Sequence, residues 1–352
     1  MRKGNGAGKV SLQWLLVVPF MAQIAIAVGL TGYLSLRNGE KTVSSLVNRL
    51  QQEVGDRVDQ HLTSYLETSR KLSQSNRDLF ELGILNPNQF EQIAAAFIKQ
   101  MHTYPVGYLT FATVDGEMIN AGHYHDEVRI SIGEINPKKY NGDRNLNDYE
   151  VDAADRLIPQ KSSGEYPFQE ESWFAKTVQR GKPQWSPIEP WEVKPYPLSV
   201  SVTYPIYQNK KLVGVMDVDQ RLSQISNFLR TLKVSAAGKV FVIERDGLLV
   251  ASSGLQEPFK VVDELPQRLP AIESGDRLIQ ATAQHLSQSF QDLRSIQQPQ
   301  QLEYRLNDQR QFVRVEPWRD PLGLDWLIVV TVPEADFMGQ VNANTKTRPI
   351  QI

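Results

Sequence analysis

Hydrophobic residues along this chain run first unbroken, then at helical spacing, then in alternation with polar ones. From Leu12 to Leu36 no charge interrupts the apolar run and only Gln13 and Gln23 are strongly polar. As a helix, such a stretch crosses about 30 Å of hydrocarbon. Val43, Val47, Leu50, Val54, Val58, Leu62 and Tyr65 then recur at steps of three and four, with Glu53, Asp56, Arg57 and Asp59 between them. This predicts one long amphipathic helix to about Phe80. Its apolar stripe must pack on the domain that follows or on the same helix of a second copy. Asn86-Pro87 breaks the pattern, and 89–101 resumes it as a shorter helix.

The rhythm next shortens to that of strands. VGYLTFATV (106–114), the Asp115-Gly116 turn and the return at 117–121 predict a hairpin. From Asp126 to Glu171 periodicity disappears among Asn, Asp, Gly and Pro, apart from a short helix expected near 151–157. So long an irregular segment inside a domain predicts a lid or binding loop. Trp173 to Arg180 reads as a helix ended by Gly181. Leu198 to Tyr204 alternates as a strand with one apolar and one polar face. Asn209-Lys210-Lys211 turns the chain into a strand over 212–219, and a helix is expected over 222–232.

ERDGLLVASSG (244–254) then repeats the first hairpin, VDGEMINAG (114–122), about 130 residues on. An amphipathic helix over 276–290 and strands near 302–306, 312–317 and 324–332 complete the second copy. Antiparallel hairpins with helices on a face predict an α+β fold. The expected divisions are a basic flank (1–11), a membrane span (12–36), a stalk helix (37–82), an outer domain (83–233), an inner domain (234–333) and a terminal helix with its tail (334–352).

Composition narrows the function. The 352 residues carry 38 basic and 40 acidic side chains, a net charge of -2, which leaves no surplus to hold a phosphate backbone and argues against nucleic acid. Cysteine is absent, excluding disulfides, thiolate metal sites and cysteine nucleophiles. Arg2, Lys3 and Lys9 precede the apolar run with no acid before it. That bias puts the N-terminus in the cytoplasm and residues after Arg37 outside, in a single-pass inner-membrane protein with a periplasmic bulk. A cleaved signal peptide, with Ala25 and Ala27 before the cut, is the competing reading, though the run exceeds an ordinary signal core.

The order of these elements, with WFAKTVQRGKPQW (173–185), YPIYQNKKLVGVMDVD (204–219) and the second hairpin, resembles the double Cache family over about residues 37–340. These are extracytoplasmic sensor regions of bacterial receptors. The resemblance implies two tandem PAS-like domains carried by a long N-terminal helix, a ligand in the membrane-distal one, and a signal passed through a second span to a kinase, cyclase or chemoreceptor output. Two departures stand out. Amino-acid-binding members place an Arg shortly before the Trp-aromatic pair to clamp a carboxylate, whereas this chain has QEESWF (169–174), with Glu170 and Glu171. Trp173 and Phe174 match the pair, and Asp219 lies where the family holds a ligand ammonium. A cationic, amine-bearing or neutral ligand therefore fits better than a zwitterion. The chain also stops at TKTRPIQI (345–352) without a second apolar span, which reads as a truncated receptor lacking its output.

The candidate pocket gathers Trp173, Phe174, Trp185, Trp191 and Tyr196 beside Ser199, Ser201, Thr203, Asp217 and Asp219. Aromatic walls with a few convergent polar groups describe a small-molecule site. The residues expected to hold the ligand are Trp173, Phe174, Trp185, Tyr196, Ser201, Thr203, Asp217 and Asp219, with no metal and no cofactor expected. The plain alternative is that Trp173 is core and the polar face merely wet. His123, His125 and Asp126 resemble metal ligands only as an exposed strand end does. Asp143, Asn145 and Asn147 begin a calcium loop that Asp148 and Ala154 do not continue. GNGAGKV (4–10) lacks the spacing and the hydroxyl of a phosphate loop. No nucleophile elbow, HExxH helix or phosphate loop is present. The expectation is therefore an anchored sensor, not an enzyme, binding a small molecule and pairing as a homodimer through the stalk. A tethered solute-binding protein serving a transporter and, further off, a hydrolase are the other readings.

Overall fold

The computed structural model describes residues 12–123, 129–191 and 196–337. Helix α1 runs over Leu12–Glu81. Residues 51–336 make one compact unit, and residues 12–50 belong to another, described separately. In the latter Phe20, Ile26 and Leu30 are exposed. Among the described residues α1 is the one helix long and apolar enough to cross a membrane.

Within the larger unit α2 (Phe90–Thr103) follows α1. The next strands are β1 (Tyr108–Thr113), β2 (Met118–Gly122), β3 (Ser131–Ile135), β4 (Asn145–Val151), β5 (Leu157–Pro159) and β6 (Gly164–Glu165). After α3 (Ser172–Arg180) come β7 (Gln184–Trp185), β8 (Glu189–Pro190), β9 (Leu198–Gln208), β10 (Lys211–Arg221) and α4 (Ser223–Thr231). These strands form one sheet in the order β5-β4-β3-β2-β1-β10-β9-β7, with β6 on β4 and β8 on β9.

A second sheet is built from β11 (Lys239–Glu244) and β12 (Leu249–Ser252), then, after the separate hairpin β13 (Phe259–Val262) and β14 (Leu265–Arg268) and helix α5 (Arg277–Ser289), from β15 (Gln300–Leu306), β16 (Gln309–Arg319) and β17 (Asp325–Pro333). Its order is β12-β11-β17-β16-β15. That is the order β2-β1-β10-β9-β7 over again, so the repeated hairpin marks a repeated topology. The mixed helix and antiparallel-sheet architecture read from the sequence stands.

Two expectations are corrected. The segment 126–171 is not structureless where described: β3, β4 and β5 extend the first sheet, with β4 pairing β3 and β5. Asn and Asp disfavour strands intrinsically, but pairing to an existing edge overrides that preference. The short helix expected near 151–157 is a turn. The Asp152 carboxylate accepts from the backbone N–H of Ala154 (2.8 Å) and Arg156 (2.9 Å), and such a side chain competes with helical bonding.

The apolar stripe of α1 is taken up by the chain itself. Val54, Val58, Leu62, Leu66 and Phe80 are buried, and Phe80 stacks on Phe111 at 4.3 Å. Polar bonds fix the register: Ser73 Oγ donates to Val202 O (3.1 Å), Tyr65 Oη to Arg221 O (2.9 Å), and the Gln51 amide to Phe312 O and Val330 O (2.9 and 3.0 Å). Helix α1 thus lines one face of both sheets. Along 51–81 the exposed positions are polar, among them Glu53, Arg57, Gln60 and Lys71.

Candidate functional site

Strand alternation decides which residues of β9 and β10 share a face. The register sets Asp219 opposite Ser201 and Asp217 opposite Thr203, with Tyr108 and Thr110 of β1 on their other sides. Leu109, Phe111, Val202 and Val218 point the other way, toward α1. The polar face therefore lies across the sheet from the stalk, under α3 and the segment before it.

Asp217 and Asp219 occupy its centre and are 5% and 6% exposed. Ser201 Oγ donates to Asp219 Oδ2 at 3.2 Å. The Oδ1 atoms of both aspartates are buried without a hydrogen-bond partner, and among the described residues neither carboxylate forms a salt bridge. Burial pushes Asp219 up to about 6, tempered by the Ser199 hydroxyl, the Arg221 charge and the Ser201 hydroxyl. Burial first, and the Asp219 charge second, raise Asp217 well above the usual carboxylate range.

One wall is aromatic and approaches from the α3 side. Phe168 meets Phe174 edge-on at 5.2 Å and Trp173 at 6.4 Å, and Trp173 meets Phe174 at 5.6 Å. Phe174 is buried in the core with Ala112, Met118 and Val215, and Trp173 and Tyr166 pack at its margin. The Tyr166 hydroxyl is raised by burial and then by the charge of Glu171, with Asp217 and Asp219 adding to it, while a hydrogen bond from Trp173 lowers it. The charges of Glu171, Asp217 and Asp219 thus all act on the Tyr166 hydroxyl.

The opposite wall is Tyr108 and Trp191, meeting edge-on at 5.1 Å. Trp191 Nε1 donates to Ser199 Oγ at 3.0 Å, and the Arg221 guanidinium lies 5.3 Å over the Trp191 ring. Arg221 also donates to His123 O, while its Nε is buried without a partner. Gly122 makes room for Tyr108: a Cβ there would lie 2.5 Å from the ring.

Of the eight residues proposed from the sequence, Asp217, Asp219, Ser201 and Trp173 share this face, and Phe174 backs it from the core. Of the remaining three, one is occupied by other bonds and two are placed elsewhere. Thr203 is on the face but spent, bonded to Thr177 Oγ1 (2.6 Å) and Gln184 O (3.2 Å) beneath α3. Trp185 pairs with Val202 and so lies on the α1 side, its Nε1 donating to Asp320 Oδ1 at 2.6 Å in the turn between β16 and β17. Tyr196 reaches the β13–β14 hairpin, where its hydroxyl donates to Glu264 O (3.1 Å) and its ring meets Phe259. Tyr108, Tyr166 and Arg221 were missed. Tyr108 and Arg221 had a signal, namely that each lies at a same-parity or paired strand position beside Asp219.

The second sheet offers no matching face. There β17 takes the place of β10 and presents Leu327, Val329 and Thr331 to α5. Phe241, Ile243, Ile279, Ala283 and Leu286 fill the space between, and Thr331 bonds Thr282. Among the described residues no group of His, Cys, Asp and Glu gathers to hold a metal. His123 Nδ1 lies 3.2 Å from Arg129 O, while His125 and Asp126 lie outside the described residues. Asp143 bonds Asn145 through both carboxylate oxygens.

The Cache domain profile matches residues 37–341. The chain belongs to the Cache domain family. Solved structures agree in fold. The ligand-binding domain of Mlp24 with asparagine superposes with a TM-score of 0.52 at 15% identity, covering 86% of this chain and 98% of that one. The sensory domain of the Campylobacter jejuni chemoreceptor Tlp3 gives 0.51 at 11%, covering 84% and 94%. The Pseudomonas aeruginosa amino-acid chemoreceptor PctC in complex with GABA gives 0.51 at 15%, covering 82% and 99%. No curated protein sequence matches the chain.

Proposed function

We propose that this chain is the extracytoplasmic input of a receptor, anchored in the inner membrane by the first part of α1. Residues 83–233 form the membrane-distal ligand domain and residues 234–333 the proximal relay. The ligand is a small molecule bearing an ammonium group, seated between the Tyr166–Trp173 wall and the Tyr108–Trp191 wall. The observation that carries this reading is the pair of desolvated carboxylates with orphaned oxygens. A buried charge with no partner is costly, and an ammonium supplies both the charge and the donors. Aromatic faces beside it favour a cation further.

Ligand binding moves an equilibrium only through differential affinity. Here the site strand is tied directly to α1: its Tyr65 donates to Arg221 O, and the Gln220 amide donates to Tyr65 O (3.3 Å) and Pro105 O (3.4 Å). A shift of β10 toward a bound ammonium therefore pulls on α1. The bonds from Trp185 to Asp320 and from Tyr196 to Glu264 link the first sheet to the second domain. This mechanical continuity favours a receptor over a tethered solute carrier, which needs only a flexible leash. A homodimer along the stalk would meet at polar residues, since the apolar stripe over 51–81 is already covered.

A second reading rests on Arg221. Its unpartnered Nε at the Asp219 end of the site offers a carboxylate partner, so that a zwitterionic amino acid would span Asp219 and Arg221. The relatives named with asparagine and GABA bind molecules of that kind. Calorimetry of the full chain in detergent against simple amines and zwitterionic amino acids separates the two. Binding confined to amines supports the first reading. Micromolar binding of zwitterions overturns it in favour of the second, and Arg221→Gln then abolishes that binding.

A further inference from the structure

We infer that the site takes a ligand with two cationic groups, one held by Asp219 and one by Asp217. This rests on the ammonium reading above and goes further in assigning Asp217 a ligand of its own. A single ammonium answers one carboxylate, and the structure presents two. Each is more than nine-tenths buried and each keeps an Oδ1 without a partner. Among the described residues the cation beside them is Arg221, at the Asp219 end, whereas Asp217 pairs with Thr110 and Thr203 further along the strand, and the charge of Glu171 acts with theirs on the Tyr166 hydroxyl.

Residues two apart on a strand stand about 7 Å from each other, a span that a ligand with about four carbons between its ammonium groups matches. The aromatic walls along the same line would cover the aliphatic segment. Burial holds the Asp217 proton, so seating the second ammonium ejects that proton to solvent and leaves a carboxylate against a cation. The charges then balance.

The test uses the full chain in detergent at about pH 8, titrated with α,ω-diaminobutane, butylamine and the shorter ethylenediamine. A second charge-assisted hydrogen bond makes diaminobutane about 10- to 100-fold tighter than butylamine. Ethylenediamine, too short to reach both carboxylates, shows little of that gain. Calorimetry in two buffers of different ionisation enthalpy finds more protons released by diaminobutane than by butylamine. In Asp217→Asn the ratio between the two amines falls to near one. Thermal melts check that this variant is folded, and Asp217→Ser repeats the comparison if it is not. Equal affinity for diaminobutane and butylamine in the unmodified chain overturns this inference and leaves the ammonium site standing. Binding of neither amine overturns the ammonium site itself.

Discussion

Asp219→Asn should stabilise the ligand-free protein, and only above a definite pH. The ordinary aspartate value of 3.8 is lifted to about 6 in the fold, so the folded state holds a proton that the unfolded chain has already lost. Stability then falls as pH rises through that interval, because the unfolded state binds fewer protons. A lift of about two pH units at about 1.4 kcal/mol each puts the cost of the ionised carboxylate at about 3 kcal/mol. It is complete above about pH 6 and absent below about pH 4. The groups around Asp219 are Asp217 and Arg221 on its own strand, Tyr108 on β1, and Ser199 and Ser201 on β9, and its charge also acts on the Tyr166 hydroxyl. The Ser199 hydroxyl, the Arg221 charge and the Ser201 hydroxyl oppose the effect and are already contained in that value. Asparagine keeps the shape, removes the charge and relieves Asp217 as well. Melting the full chain in detergent across this pH range should show the variant roughly 5 °C above the parent near pH 8, with the curves meeting near pH 4. Equal melting points at both ends would refute the claim that Asp219 is ionised and desolvated.

Other changes separate the site from its surroundings. Trp185→Phe removes the bond to Asp320 and leaves a smaller aromatic ring in place, so denaturant titration should show a loss of about 2 kcal/mol with amine affinity unchanged by calorimetry. Tyr65→Phe should cost about 1 kcal/mol and leave affinity intact while reducing the ligand-induced change in hydrogen exchange along α1. An undiminished change would remove Tyr65 from the path. Gly122→Val displaces the Tyr108 ring and should weaken amine binding at least tenfold, whereas unchanged affinity would take Tyr108 out of the wall.

Much of the fold was legible because alternation and turn chemistry are local. The β9 and β10 strands, the Asp-Gly hairpins and α5, whose Asp276 cap accepts from Leu278 and Ile279, all follow from spacing read in short windows. The extension by β3, β4 and β5 was not, since Asn145, Asn147 and Asp148 become a strand only when an edge is offered to them. The site shows the same division. Asp217, Asp219 and Ser201 were found together because parity along a strand is visible in sequence. Trp185 and Tyr196 were grouped with them because they are aromatic and near in number. Their positions depend instead on the pairing partner, Val202 for Trp185, and on the left-handed backbone at Tyr196 (φ 61°), neither of which composition shows. Tyr166 lay inside the stretch read as a loop, and only its bond with Trp173 and the charges of both aspartates acting on its hydroxyl give it a part.

A structure of the full chain with a bound amine tests the account most directly. It should show ligand density between Trp173 and Trp191 with a nitrogen at hydrogen-bonding distance from Asp219 Oδ1, and Tyr108 and Tyr166 closing on it. Density in the second domain instead, or a ligand carboxylate turned toward Asp217 and Asp219, would contradict it.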